Sequence, residues 1–287
     1  MVEATKQSMS EPDFYVDKRL LRRAFEKAAQ AYDEAAILQR EVASRMLERL
    51  DYMLIEPQVI LDAGAGTGYC TLDVAQRYPA AQIIALDIAS GMLEQTRRKT
   101  KLGNNISYVS SDVEKIALSD NSVDLIVSSL TVQWCNDYIK AFAEFKRVLK
   151  PGGCLLFTSF GPDALKELRH CWYKVDSDNH VNSFVDMHHV GDALLQVGFN
   201  DPVMDTETIT VTYKDVYQIM RDLKTIGAHN ILNGRRHSLT GKKRLQVMVA
   251  EYETFRNEGV LPMTYEIVYG HAWTAAADSV SVNFEKN

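Results

Sequence analysis

Asp62 and the glycines Gly64, Gly66 and Gly68 stand together in Val-Ile-Leu-Asp-Ala-Gly-Ala-Gly-Thr-Gly, residues 59–68, and they limit the chemistry of this chain more than any other stretch. Glycines at the end of an apolar strand let the backbone approach a ligand that any Cβ would push away, and the N-terminus of a following helix favours negative charge. The pattern predicts a nucleotide-type cofactor. A carboxylate at Asp62 would repel a pyrophosphate but can hold an ammonium group, so a ligand with an amino-acid end fits better. Asp87 closes a second apolar run, Ala-Leu-Asp-Ile, where an acid can accept both hydroxyls of a ribose. Ser111-Asp112-Val113 follows a third run, with Asp112 suited to accept from an adenine amino group and Val113 to pack on the ring. Each acid alone could be a cap or turn residue. Acids at the ends of three consecutive strands face the crevice where parallel sheets bind their ligands.

The elements that must position these residues are legible as alternation. Strands are predicted at residues 58–63, 82–87, 106–110, 123–130 and 154–160, with helical stretches at 71–78, 91–100 and 138–149 between them. The strands are apolar on both faces, as a sheet covered by helices requires, so the fold class is α/β with a doubly wound, mostly parallel sheet. Pro151-Gly152-Gly153 predicts a turn before the fifth strand. Helices are predicted at 163–175 and 189–198. Two alternating segments, 206–213 and 263–273, are expected to pair antiparallel at one edge and bring the sheet to seven strands. Between them residues 214–262 form a helical insertion, read as a lid or substrate subdomain, with helical patterns at 215–228 and 242–257. Upstream, Phe25, Ala29, Tyr32, Ala36, Gln39, Ala43, Met46 and Leu50 recur on one face of a long helix or helix pair. The expected organisation is a disordered tail over 1–12, an N-terminal helical cap over 13–56, a cofactor-binding core over 57–213, the insertion, and the last strand with a C-terminal tail over 263–287.

With 287 residues, 46% of them hydrophobic and 24% charged, the chain reads as globular. No apolar run approaches the roughly 18 residues of a membrane span, and residues 1–12 are polar with no signal-peptide core, so the expectation is a cytoplasmic protein without membrane attachment. A net charge of −6 argues against nucleic acid as a partner. Cys70, Cys135, Cys154 and Cys171 have no paired spacing and read as free thiols, and no metal site is expected. His188 and His189 are adjacent and the other histidines scattered, so none is assigned to catalysis.

On Asp62–Gly68, Asp87 and Asp112 the chain resembles the class I S-adenosylmethionine-dependent methyltransferases, over residues 58–160. The resemblance implies a Rossmann-like sheet, S-adenosylmethionine as cofactor, and Met92, in the Ser90-Gly91-Met92-Leu93 turn, packed on the adenine. The G-x-G-x-G spacing differs from the G-x-G-x-x-G of dinucleotide enzymes, which opposes a nicotinamide-dependent dehydrogenase. Several further segments are similar to the malonyl-acyl-carrier-protein O-methyltransferases of biotin synthesis. They are Ala24-Phe25 through Leu38-Gln39-Arg40, Leu130-Thr131-Val132-Gln133-Trp134-Cys135, Phe160-Gly161-Pro162 with Leu165-Lys166-Glu167-Leu168, Leu223-Lys224-Thr225-Ile226-Gly227-Ala228, and Leu261-Pro262-Met263-Thr264-Tyr265-Glu266. This likeness implies methylation of the free carboxylate of malonyl-acyl-carrier-protein or malonyl-CoA. The resulting ester would hide the charge and prime pimeloyl synthesis. A methyltransferase of another small carboxylate or of a quinone precursor would share residues 62–68 but has no reason to carry 223–228 and 261–266.

A malonyl carboxylate, with a pKa of roughly 4, is an anion at neutral pH and needs no general base, so no acid–base residue is assigned. Tyr32 and Trp134 are the candidates to position the acceptor and exclude water. Tyr32 and Gln39, seven residues apart, are expected to close over the cofactor from one helix face. Lys224 and Arg235 are the candidate cations for the carboxylate, Arg235 preferred for its planar fork. An acidic carrier protein would need a basic docking surface on this acidic chain. Lys18-Arg19 with Arg22-Arg23, and Arg235-Arg236 with Lys242-Lys243-Arg244, are the runs that could supply one.

Overall fold

The second strand, β2 (Gln82–Asp87), is apolar from Ile83 to Leu86 and its residues after Gln82 are all buried, which places it inside a sheet rather than at an edge. It pairs in parallel with β1 (Val59–Ala63) on one side and β3 (Ile106–Ser110) on the other. β1 in turn pairs with β4 (Val123–Ser128), and β4 with β5 (Leu149–Phe160). In this computed structural model, which describes residues 15–100, 105–228 and 241–276, these strands join β6 (Asn200–Tyr213) and β7 (Leu261–Trp273) in one seven-stranded sheet of order 3-2-1-4-5-7-6. β7 lies between β5 and β6 and is antiparallel to both. The order reverses direction at β1, so a crevice opens above the carboxyl ends of β1 and its neighbours. The proposed tails, at residues 1–12 and at the C-terminal end, lie outside the described residues except for the segment up to residue 276.

Helices α4 (Tyr69–Arg77), α5 (Ser90–Lys99) and α6 (Tyr138–Val148) cover the parallel strands. Above the crevice sits the N-terminal cap, α1 (Lys18–Ala28), α2 (Tyr32–Ala35) and α3 (Ile37–Glu48). α1 starts where the Asp17 side chain accepts the N–H groups of Arg19 and Leu20. The apolar repeat predicted one face of a long helix or helix pair with Tyr32 and Gln39 together on it, but the chain breaks on either side of α2, so Tyr32 and Gln39 lie on different helices. The reason is tertiary. Asp33 accepts from Thr67 Oγ at 2.6 Å and pairs with Lys99 at 2.5 Å, contacts that the repeat does not register.

Two strands begin earlier than their patterns indicate. β5 runs through Pro151-Gly152-Gly153 because Gly152 adopts φ +76° and Thr274 donates to the carbonyl of Gly153, so the predicted turn is absorbed into the strand with a register shift against β4. β6 begins at Asn200 with a shift before Val203, where Asp201 takes φ +48°. After β5 come α7 (Lys166–Tyr173) and α8 (Met187–Gln196). The segment between β6 and β7 holds α9 (Val216–Thr225), capped by Asp215, and α10 (Lys242–Glu253), whose buried Tyr252 donates to the carbonyl of Pro262 at 3.0 Å. Among the described residues no helix is long and apolar enough to cross a membrane.

Candidate active site

The loop after β1 is built by three glycines with positive φ, and each serves a different purpose. A Cβ on Gly64 would lie 2.0 Å from Thr131 Oγ1, and one on Gly68 2.5 Å from Thr96, so these two admit protein neighbours. A Cβ on Gly66, at φ +53°, would meet no atom within 4 Å. Gly66 therefore faces open space, the cradle a ligand would fill. The loop's N–H groups are not free donors. Those of Gly64 and Ala65 both reach the carbonyl of Leu86 at 2.8 Å, and that of Gly66 reaches Asp87 Oδ2 at 2.9 Å. The glycines here supply close approach rather than hydrogen bonds.

Asp87 lines the cavity and also accepts the N–H of Ala89 through Oδ1 at 2.8 Å. Burial pushes its carboxyl up to about 6. Asp62 is buried behind the loop, where it accepts from Thr71 Oγ at 2.5 Å, and burial raises its carboxyl to about 7. It does not line the cavity, nor does Gly68, the left-handed N-cap of α4. Met92 and Val113 line it beside Asp112, whose Oδ1 takes the N–H of Glu114 at 3.0 Å and the Lys18 ammonium at 3.2 Å. Asp112 Oδ2 has no protein donor among the described residues. One open acid after β3, an acid at the end of β2 whose two oxygens each take one backbone N–H, and an uncovered glycine after β1 fit the adenine, ribose and chain of S-adenosylmethionine.

The cap closes this site by gripping each of its loops. Lys18 pairs with Asp112 and Glu114 after β3. Glu26 accepts from Ser90 Oγ at 2.9 Å and from the Gly91 N–H at 2.8 Å, capping α5 after β2. A Cβ at Gly91 would collide with that carboxylate. Asp33 holds Thr67 of the glycine loop. Lys18, assigned from sequence to a docking run, thus belongs in part to the cofactor site, while Arg19, Arg22 and Arg23 are exposed. Tyr32, Gln39 and Trp134 all line the cavity, with Phe25 edge-on to Trp134 at 5.6 Å. Burial beside Asp87 raises the Tyr32 hydroxyl well above its usual value, so it remains a neutral phenol.

Beyond the cofactor positions the same cavity is apolar. Phe160 packs against Phe184 at 5.2 Å and Tyr265 at 5.7 Å, and Leu165, Leu168, Val181, Leu223 and Ile226 complete the wall. Lys224 is exposed on α9 and is not among the lining residues, and Arg235 and Arg236 lie outside the described residues. Lys242 and Lys243 are exposed, and Arg244 reaches Asp176 at 3.2 Å. The cysteines are free thiols, and Cys135 lines the cavity. Sequence reasoning missed Lys18 as a site residue, because a lysine in a basic run carries no sign of what it faces. It also missed His180 and Asn182, which lie in an aperiodic stretch.

A family model described as a methyltransferase domain matches residues 61–157. Haemonchus contortus phosphoethanolamine N-methyltransferase 2, solved with S-adenosylhomocysteine, has a TM-score of 0.56 at 17% identity, covering 90% of this chain and 60% of that one. The malonyl-[acyl-carrier protein] O-methyltransferase of Nitrosospira multiformis is 48% identical over 94% of this chain and 93% of its own. The protein of the same name from Gallionella capsiferriformans is 48% identical over 92% and 93%. A glycine loop at the sheet's switch point with acids after β2 and β3 defines an S-adenosylmethionine-dependent methyltransferase of class I. Within that class, near-full-length identity decides the branch: the chain belongs to the malonyl-[acyl-carrier protein] O-methyltransferase family.

Proposed function

We propose that this enzyme methylates the free carboxylate of a malonyl thioester, carried on acyl carrier protein or coenzyme A, in the cytoplasm. The ester would then serve as a charge-masked primer for the pimeloyl chain of biotin. The observation that carries the reading is the meeting of two family-like segments, 160–168 and 261–266, at the far wall of the cofactor cavity. Leu165 N–H reaches the carbonyl of Thr264 at 2.7 Å, and buried Glu167 accepts both the N–H and the hydroxyl of Thr264. Glu266 accepts the N–H of Asp163 at 2.7 Å. These contacts present Leu165 and Tyr265 to the cavity.

When bound, S-adenosylmethionine supplies a sulfonium methyl that passes to a carboxylate oxygen as the carbon–sulfur electron pair returns to sulfur, with no proton to move. The residues need only align the acceptor and strip it of water, effects worth on the order of several kcal/mol. Trp134 and Tyr32 both line the cavity and are assigned that alignment. Asp62, Asp87, Asp112, Met92, Val113 and Gln39 are assigned to the cofactor, Asp62 by fixing the loop through Thr71. Lys224, exposed on α9, and Arg235 are assigned to the malonyl group, and the exposed basic residues of α1 and α10 to the approach of an acidic carrier.

The test is to incubate the protein with S-adenosylmethionine and malonyl-CoA or malonyl-acyl-carrier-protein and identify the product by mass spectrometry. A malonyl methyl ester supports the reading, and its absence with both thioesters contradicts it. Docking on the basic residues predicts that the rate with the carrier falls with salt more steeply than the rate with coenzyme A. Arg235→Ala is expected to raise the KM for the malonyl substrate and leave cofactor affinity unchanged.

A further inference from the structure

His180 reaches the apolar half of the cavity from the aperiodic stretch between α7 and α8, and it is held on two sides. Its ring stacks on Trp172 with centroids 3.9 Å apart and planes 10° from parallel. Its Nε2 bonds Asp176 Oδ1 at 2.7 Å, with both side chains only 13% exposed. Arg244 lies behind, 3.2 Å from Asp176 and 3.7 Å from Asp178. Asp176, Asp178 and His180 are close enough to hold a metal ion, but a guanidinium already faces both carboxylates.

Two residues away, Asn182 also lines the cavity, and its Oδ1 is buried with no hydrogen-bond partner. Leaving a buried amide oxygen unpaired is costly, so a ligand is expected to satisfy the group. The amide's orientation is an assignment, and a half-turn puts N–H in the same place.

A carboxylate entering a wall of phenyl and aliphatic groups loses its hydration and must receive hydrogen bonds in return. Among the described lining residues, His180 and Asn182 bring polar tips to this wall; the Tyr265 hydroxyl donates to Met263 Sδ at 3.3 Å, and Gln133, whose Oε1 is likewise buried without a partner, adjoins Trp134. We propose that His180, with Asn182 beside it, is the positioning residue that holds the acceptor carboxylate of the substrate. This rests on the malonyl reading above. With Nε2 on Asp176, Nδ1 is the ring nitrogen left to meet one carboxylate oxygen, and the other oxygen stays free to attack. Asp176 and Arg244 hold the ring at its angle.

The test is calorimetric titration of malonyl-CoA and of acetyl-CoA into the protein saturated with S-adenosylhomocysteine. Wild type is expected to bind malonyl-CoA more tightly than acetyl-CoA. His180→Phe keeps a ring over Trp172 and removes the donor, so Kd for malonyl-CoA should rise at least about tenfold, while Kd for acetyl-CoA and for S-adenosylhomocysteine stays put. His180→Gln, which restores a neutral donor, should recover part of the loss and serves as the second variant if the phenylalanine protein does not fold. Unchanged malonyl-CoA binding in His180→Phe overturns the assignment, as does an equal loss for both thioesters, the mark of a structural role. Wild type that shows no preference for malonyl overturns the substrate reading itself, a result visible before any variant is made.

Discussion

Lys18 of α1 and Asp112 after β3 meet at 3.2 Å across the mouth of the cofactor cavity, with Glu114 as the lysine's second partner. The pair joins the cap to the acid expected to read the adenine. Lys18→Met should loosen the cap over the ligand without touching the sheet. The partners are only partly shielded from water, so the loss is modest, about 1 kcal/mol or a fivefold rise in Kd for S-adenosylhomocysteine. Calorimetry at low and high salt checks it, because the wild-type advantage should shrink as salt rises.

The glycine loop should separate folding from binding. Gly64→Ala places a Cβ against Thr131 and is expected to cost stability outright. Gly66→Ala meets no protein atom. It should cost only the roughly 1–2 kcal/mol of a left-handed non-glycine residue, yet lower cofactor affinity at least about tenfold. Denaturant unfolding beside ligand titration resolves the two effects.

Asp87 and Asp62 give a pH dependence with a definite sign. Burial raises both folded-state carboxyls, to about 6 and about 7, above the roughly 4 of an unfolded chain. The folded protein therefore holds more protons than the unfolded one between about pH 4 and 7, and their contribution to stability declines as pH rises through that window. Ligand hydroxyls donating to Asp87 favour its ionised form, so cofactor affinity should rise from pH 5 to 7 and then level off. Binding should release protons near pH 6, read from titrations in buffers of different ionisation enthalpy. Asp87→Asn should remove much of that release.

Leu165 is held at φ +60°, ψ +27°, a region costly for a branched side chain, with its side chain buried against the cavity. Leu165→Ala loses packing and keeps the strain. Leu165→Gly loses the same packing and relieves it. The glycine variant should therefore melt no lower than the alanine variant, against the usual order of those residues, and differential scanning calorimetry decides.

β2 falls where its apolar run predicts, because a strand buried on both faces leaves a continuous signal, and β3 falls at its predicted bounds although it is a half-buried edge strand. The cap was harder to read. Its seven-residue spacing survives in sequence although Asp33 breaks the helix to reach Thr67 and Lys99, partners 34 and 66 residues away. Asp62, Gly64, Gly66 and Gly68 mark the cofactor loop, but the sequence does not separate Gly66, which faces the cavity, from Gly68, which makes room for Thr96. His180 left no trace, because a single polar residue in a loop acquires meaning only when Trp172 and Asp176 fix it beside the cavity.

On the proposed reading the methyl group goes to a free malonyl carboxylate. Labelled S-adenosylmethionine, offered with malonyl-, acetyl- and succinyl-acyl-carrier-protein in parallel, tests it most directly. Base-labile label is expected on the malonyl carrier, none on the acetyl carrier and far less on the succinyl one. Absence of label on malonyl, or equal labelling of acetyl, would contradict it.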